Sequence, residues 1–288
     1  MTMSFLPILS SLISILALTP NSAGGISSID LRDSPVQTTL TSGSITVRID
    51  YQPIRLGLEN PTQDLEAPNL RYQIIENGQV QMQSRRNTIQ FGRVFLRDLD
   101  KSGTPEVIVE TFSGGAHCCT SAFIYTKRQG KFQIVETGPK DGGGFGYQDL
   151  DGDGTIELVS KDQSFYYSFS AYAFSFPPSQ IFSLKDGKLI DTTRNYPRYL
   201  RAELQRMFTA IKEITREGGQ INGVLAGYVA QKALLGEFAQ GWQLMLARYD
   251  RTSNARLVTY DEQGKEVSRY RDFPTALRAH LQRYGYLR

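Results

Sequence analysis

Nine residues, Asp149-Leu-Asp-Gly-Asp-Gly-Thr-Ile-Glu157, constrain this chain more than any other segment. Acidic residues stand at positions 1, 3, 5 and 9 of the window, and Gly154 stands at position 6. Short carboxylates two residues apart turn their oxygens toward one point. Calcium needs such a set, because it collects about six to eight hard oxygens at about 2.3–2.6 Å. The glycine lets the backbone turn sharply, and the Thr155 carbonyl can add another oxygen. A second copy, Asp98-Leu-Asp-Lys-Ser-Gly-Thr-Pro-Glu106, lies 51 residues earlier and shares Asp, Leu, Asp, Gly, Thr and Glu in register. It carries Ser102 where the third Asp belongs and Lys101 inside the turn. That predicts weak binding, or a degenerate turn held by hydrogen bonds. The alternative for either window is an acidic turn with no ion.

An EF-hand requires a bidentate Glu at about position 12 and flanking helices. Ser160 occupies that position, and neither Phe145-Gly-Tyr-Gln nor Leu158-Val-Ser reads as helix. With a literal Phe145-Gly146 ahead of the second window, residues 90–165 resemble the calcium loops of FG-GAP/VCBS-type repeats, the integrin-like β-propeller motif. In that family the ninth position closes the site. The resemblance implies Ca2+ ligands at Asp149, Asp151, Asp153, the Thr155 carbonyl and Glu157. The weaker counterpart would use Asp98, Asp100, Ser102, Thr104 and Glu106.

The N-terminus reads as a targeting segment. Phe5 to Leu18 is apolar apart from serines and Pro7, small residues follow, and Ala23-Gly24 is a plausible cleavage point. The apolar run is shorter than the ~20 residues a membrane span needs. A signal peptide over 1–23 sends the chain out of the cytoplasm, secreted or periplasmic, where calcium is plentiful. A formal net charge of +3, with Lys and Arg scattered, excludes a nucleic-acid role. No membrane span is expected after cleavage.

Residues 24–43, rich in Gly, Ser and Thr, read as a linker. From 44 the pattern is β. Ile45, Val47 and Ile49 alternate with polar residues, and Asn77-Gly78 signals a two-residue hairpin turn. Further strands are expected near 90–97, 106–111, 121–127, 131–137, 145–149, 156–160, 165–174 and 180–184. Residues 44–191 hold only about three blades at roughly 40–50 residues each. An open, irregular β domain with propeller-like hairpins, or a sandwich, therefore replaces a closed propeller. After Pro197, Leu200, Leu204, Met207, Ile211 and Ile214 mark one helical face. Helices follow at 221–235, around Trp242, and after the Asp272 cap, with a hairpin at 255–270. Trp242 is expected to be mostly buried between helices and sheet. The fold class is α+β, with a β domain over 44–196 and a mainly helical domain over 197–288 packed on it through a large apolar interface.

Both cysteines lie together in Gly114-Gly-Ala-His-Cys-Cys119. Outside the cytoplasm thiols oxidise, so a Cys118–Cys119 disulfide is one reading. Packed thiols, or a soft-metal or redox site with His117, are the others. His280, in the last helix, reads as a surface or boundary residue. No Gly-x-Ser-x-Gly, phosphate loop, His-Glu-x-x-His or Cys-x-x-Cys occurs. The leading function is thus a non-catalytic calcium-binding β module with a protein or glycan partner in the cell envelope. A redox or soft-metal protein acting through His117, Cys118 and Cys119 is the alternative, and a cell-envelope hydrolase the second.

Overall fold

The computed structural model describes residues 27–54, 68–141, 143–253, 257–260, 263 and 265–287; the expected signal peptide lies outside them. The strands are β1 (Ser27–Leu31), β2 (Val36–Ser42), β3 (Ile45–Tyr51), β4 (Leu70–Glu76), β5 (Gln79–Arg86), β6 (Gly92–Arg97), β7 (Glu106–Phe112), β8 (Thr120–Arg128) and β9 (Lys131–Lys140). They continue as β10 (Gly146–Gln148), β11 (Glu157–Lys161), β12 (Ser179–Lys185) and β13 (Lys188–Asp191). The helices are α1 (Pro197–Glu217), α2 (Ile221–Leu234), α3 (Phe238–Arg248) and α4 (Phe273–Arg283), with the hairpin β14 (Val258–Tyr260) and β15 (Glu266–Arg269) before the last. The class is α+β.

All strand pairs are antiparallel, in the orders β2-β3-β4-β5, β1-β6-β7-β8-β9 and β10-β11-β12-β13. Each is an up-and-down meander, the second with β1 added at its edge. The Asn77-Gly78 turn has φ of 49° and 80°, which only a tight hairpin with two left-handed residues demands. The sheets stack in series. Ile45, Val47, Ile49, Leu70 and Ile74 of the first face Val94, Leu96, Val107 and Val109 of the second. The other face of that second sheet supplies Phe95, Ile108 and Ile124 against Ile156, Leu158 and Leu184 of the third. β7 is therefore buried on both faces, with Val107, Ile108 and Val109 as its apolar centre. Among the described residues the meanders form neither a closed barrel nor a closed propeller.

Of the expected linker 24–43, the described residues 27–43 form strands and their turns instead. β1 pairs with β6 and β2 pairs with β3 over their whole lengths. Leu31 is buried, and Ile29, Val36 and Leu40 pack on the first core. Ser28 and Asp30 on β1, and Gln37, Thr39 and Thr41 on β2, take the exposed alternate positions.

The aromatic run 165–174 is not a strand. It forms two short 3₁₀ turns, Gln163–Phe165 and Tyr172–Phe174. Tyr167 sits at φ 58°, and its N–H goes to the Ser175 hydroxyl at 3.1 Å rather than to a neighbouring strand. The run feeds Phe165 and Phe169 into a third core made mainly by the helices.

That placement changes how the two halves meet. The apolar faces of the sheets are covered chiefly by one another, and the helices reach the β region through the 163–178 segment. Polar anchors add to it: Gln231, fully buried, accepts from Ser179 N–H at 2.9 Å and donates to the Leu200 carbonyl at 3.0 Å. Trp242 is only partly buried. It packs on Phe238 under the Arg278 guanidinium, 4.7 Å from its ring centre, and does not bridge helices to sheet. Met245, on the same helix, takes the buried place.

Candidate metal centre

Both acidic windows connect the first and second core strands of a meander, β6 to β7 and β10 to β11. Each turn needs left-handed backbone at positions 4 and 6: Lys101 and Gly103 have φ of 59° and 82°, Gly152 and Gly154 80° and 90°. One carboxylate oxygen from each of Asp149, Asp151 and Asp153 lies within 4.8 Å of the others, and the same holds for Asp98, Asp100 and Glu106. These donors are all hard oxygens, the set that suits calcium rather than a thiophilic metal.

The carboxylates also accept the N–H groups of their own turns. Asp149 takes Gly152 at 2.7 Å and Gly154 at 3.0 Å, and Asp98 takes Ser102 at 3.1 Å and Gly103 at 2.8 Å. Asp153 accepts from Thr155 N–H at 2.6 Å. That bond and one from the Thr155 side chain hold the Asp153 carboxyl below the usual range, with the Lys101 and Lys185 ammonium groups adding to the effect. Ser102 stands where Asp153 stands and exchanges 3.3 Å contacts with Thr104.

The glutamates at the ninth position are buried and hydrogen-bonded within their own turns. Glu157 is 1% exposed and accepts the Leu150 N–H at 3.0 Å; it is not among the carboxylates that converge in its loop. Glu106, 2% exposed, likewise accepts the Leu99 N–H at 2.8 Å, and its other oxygen takes the Thr126 hydroxyl at 2.9 Å. Burial pushes the Glu106 carboxyl up to about 7; the Leu99 bond opposes this, and Asp100 raises it further. Each glutamate thus ties the end of its turn to the beginning, and Glu106 alone also joins the cluster.

The two loops touch. Ile156 N–H donates to the Leu99 carbonyl at 2.9 Å, and the Lys101 ammonium donates to the Asp153 carbonyl at 2.6 Å. The repeat pattern carried a signal for this contact, because Lys101 is the one cation in either window. The spacing of the copies could not say where its side chain goes.

The cysteine loop lies at the β7–β8 connection. Cys118 and Cys119 are paired with each other in the loop. Ser113 holds the loop closed. Its N–H donates to the Cys119 carbonyl at 3.0 Å, and its hydroxyl accepts the Cys119 N–H at 2.8 Å. Exposed His117 stacks on Tyr172 at 4.2 Å, and Tyr172 stacks on Tyr166 at 4.9 Å. Intact-mass analysis of the unfolded secreted chain, alkylated without reductant, is expected to show no added alkyl group. Two added groups would mean that the native pair is reduced.

His280 occupies a boundary position, edge-on to Phe165 at 4.6 Å and Phe169 at 5.2 Å, with the Ser164 hydroxyl 3.4 Å from Nε2. Sequence spacing could not have paired Ser164 with His280, which are 116 residues apart.

Residues 200–285 match a family model described as the sll0997 C-terminal domain. A "probable thylakoid lumen protein sll0997" of Synechocystis sp. (strain ATCC 27184 / PCC 6803 / Kazusa) is 37% identical over 202 residues, which cover 67% of this chain and 60% of that protein. An "uncharacterized protein y4bJ" of Sinorhizobium fredii (strain NBRC 101917 / NGR234) is 41% identical over 194 residues, 64% of this chain and 30% of that protein. The chain therefore spans 60% and 30% of the lengths of these curated relatives. No solved structure matches it.

Proposed function

We propose that this protein is an extracytoplasmic, calcium-stabilised β module of FG-GAP/VCBS type, with propeller-like hairpins, that binds a partner and performs no chemistry. The observation that carries the reading is the placement of the two acidic loops at the same step of consecutive meanders, bonded to each other through Leu99, Ile156 and Lys101. Calcium would be held by Asp149, Asp151, Asp153 and the Thr155 carbonyl in one loop, and by Asp98, Asp100 and Glu106 in the other. The name of the Synechocystis relative places that protein in a thylakoid lumen, which supports an extracytoplasmic site of action here. No described helix is long and apolar enough to cross a membrane.

A metal that binds only the folded state stabilises it by about 2.7 kcal/mol at a hundredfold excess over its dissociation constant. Calcium is therefore expected to raise the melting temperature of the chelated protein by several degrees. Asp151→Ala is expected to remove most of that rise, and Asp100→Ala less of it. A wild-type melting curve that does not move between chelator and millimolar calcium would reject the calcium reading.

The redox alternative draws on one observation. The Cys118–Cys119 pair is half-buried rather than sealed in a core, with exposed His117 beside it. Reduction by an added dithiol within seconds under native conditions would favour it. Resistance until the chain unfolds would favour a structural bond.

A further inference from the structure

We propose that the outer face of the β2–β3–β4–β5 sheet binds an acidic polysaccharide, a chain of sugars carrying carboxylates. The inner face of this sheet is sealed in the first core, so the strand alternation sends every second residue outward. Register places Asp50, Arg71 and Arg85 in one row across three strands, and Arg48, Gln73 and Gln83 in the next. Together they line a cleft of about 630 Å³.

The charge of the cleft selects an anion. It holds three guanidinium groups against one carboxylate, and no described carboxylate is ion-paired with Arg48, Arg71 or Arg85. Arg48 instead donates to the Gln73 amide oxygen at 3.1 Å, which fixes a guanidinium beside an amide. Planar guanidinium forks match carboxylates in two-point contacts.

Asp50 narrows the choice further. Its Oδ1 atom is buried and accepts no hydrogen bond from any described residue. An acceptor left in that state is unfavourable, because it has lost water without gaining a donor. A ligand that relieves it must bring a donor as well as negative charge. Phosphate chains bring acceptors only, whereas an acidic sugar brings hydroxyl donors and a carboxylate on one ring. The glutamine amides suit the remaining hydroxyls, as both donors and acceptors.

The proposal rests on the binding-module reading but uses a different sheet from the metal loops. Titrating the full mature chain in chelator therefore separates its failure from that of the calcium reading. The calorimetric probes are an oligogalacturonate, a neutral cello-oligomer of equal length, inorganic polyphosphate and poly-glutamate, all at low salt, where surface charge is least screened. The oligogalacturonate is expected to bind at least about tenfold more tightly than the other three, a difference of about 1.4 kcal/mol. Arg71→Gln and Arg85→Gln should each weaken it about tenfold. Asp50→Ala gives the sharpest contrast. Electrostatics alone would make removal of this negative charge strengthen polyanion binding, whereas the proposed hydroxyl contact makes it weaken binding. Tighter or unchanged binding by Asp50→Ala, equal affinity for polyphosphate or poly-glutamate, or no binding of the oligogalacturonate would overturn the assignment. Should Asp50→Ala fail to keep the wild-type melting curve, the arginine variants decide the matter.

Discussion

Gly227→Ala is expected to destabilise the fold by about 2–3 kcal/mol, although helix propensity alone predicts a gain of about 1 kcal/mol. α2 is apolar on nearly every side and almost wholly buried, as a central helix must be. Gly223 and Gly227 stand one turn apart on the face that meets the 170–176 segment. A Cβ on Gly227 would lie 1.6 Å from the Phe176 carbonyl oxygen, and one on Gly223 would lie 2.4 Å from that of Phe174. These obstacles are backbone, and Phe176 is followed by Pro177 and Pro178, the latter bonded through its carbonyl to Asp162 N–H at 3.0 Å. The chain cannot step aside without giving up the Phe165 and Phe169 contacts that join helices to sheets. Urea midpoints of the two proteins, at equal slope, measure the effect. A variant as stable as the wild type would show that the segment does not depend on that close approach.

The second large effect concerns pH. Burial against Phe165 and Phe169 lowers the His280 pKa from 6.5 to about 4; Asp162 opposes the shift and Arg283 adds to it. Above about pH 6.5 the ring is neutral in both folded and unfolded chains. Between that pH and about 4 the unfolded chain binds the proton and the folded one does not, so stability falls as pH falls through this window. The drop corresponds to about 3 kcal/mol. His280→Gln keeps a polar partner for Ser164 and cannot take up a proton. It is expected to lose about 3 kcal/mol less than the wild type between pH 7 and pH 4, because the carboxylates that also titrate there are common to both. Parallel stability–pH curves for the two proteins would show that His280 is not held neutral by the fold.

Local chemistry was legible wherever it was decided by near neighbours in the chain. The carboxylate spacing of 98–106 and 149–157, the Asn77-Gly78 turn, the apolar stripe of α1 and the Asp272 cap all act within a few residues. Each took the form its residues dictate. The misread stretches were those whose outcome depends on what lies across from them. Residues 27–42 look like a linker until β3 and β6 offer edges to pair with, since alternating Ser and Thr bury nothing by themselves. The aromatics of 165–176 have the composition of a strand, yet they pair with no described strand. The glycine face of α2 takes them as irregular backbone instead.

The site follows the same division. Which carboxylates converge within a turn was written in the spacing of the aspartates. That Lys101 crosses to the Asp153 carbonyl, and that three arginines gather beside Asp50, depends on how strands far apart in sequence are placed. A period-two pattern states which residues share a face, but only pairing sets the register that brings those faces side by side.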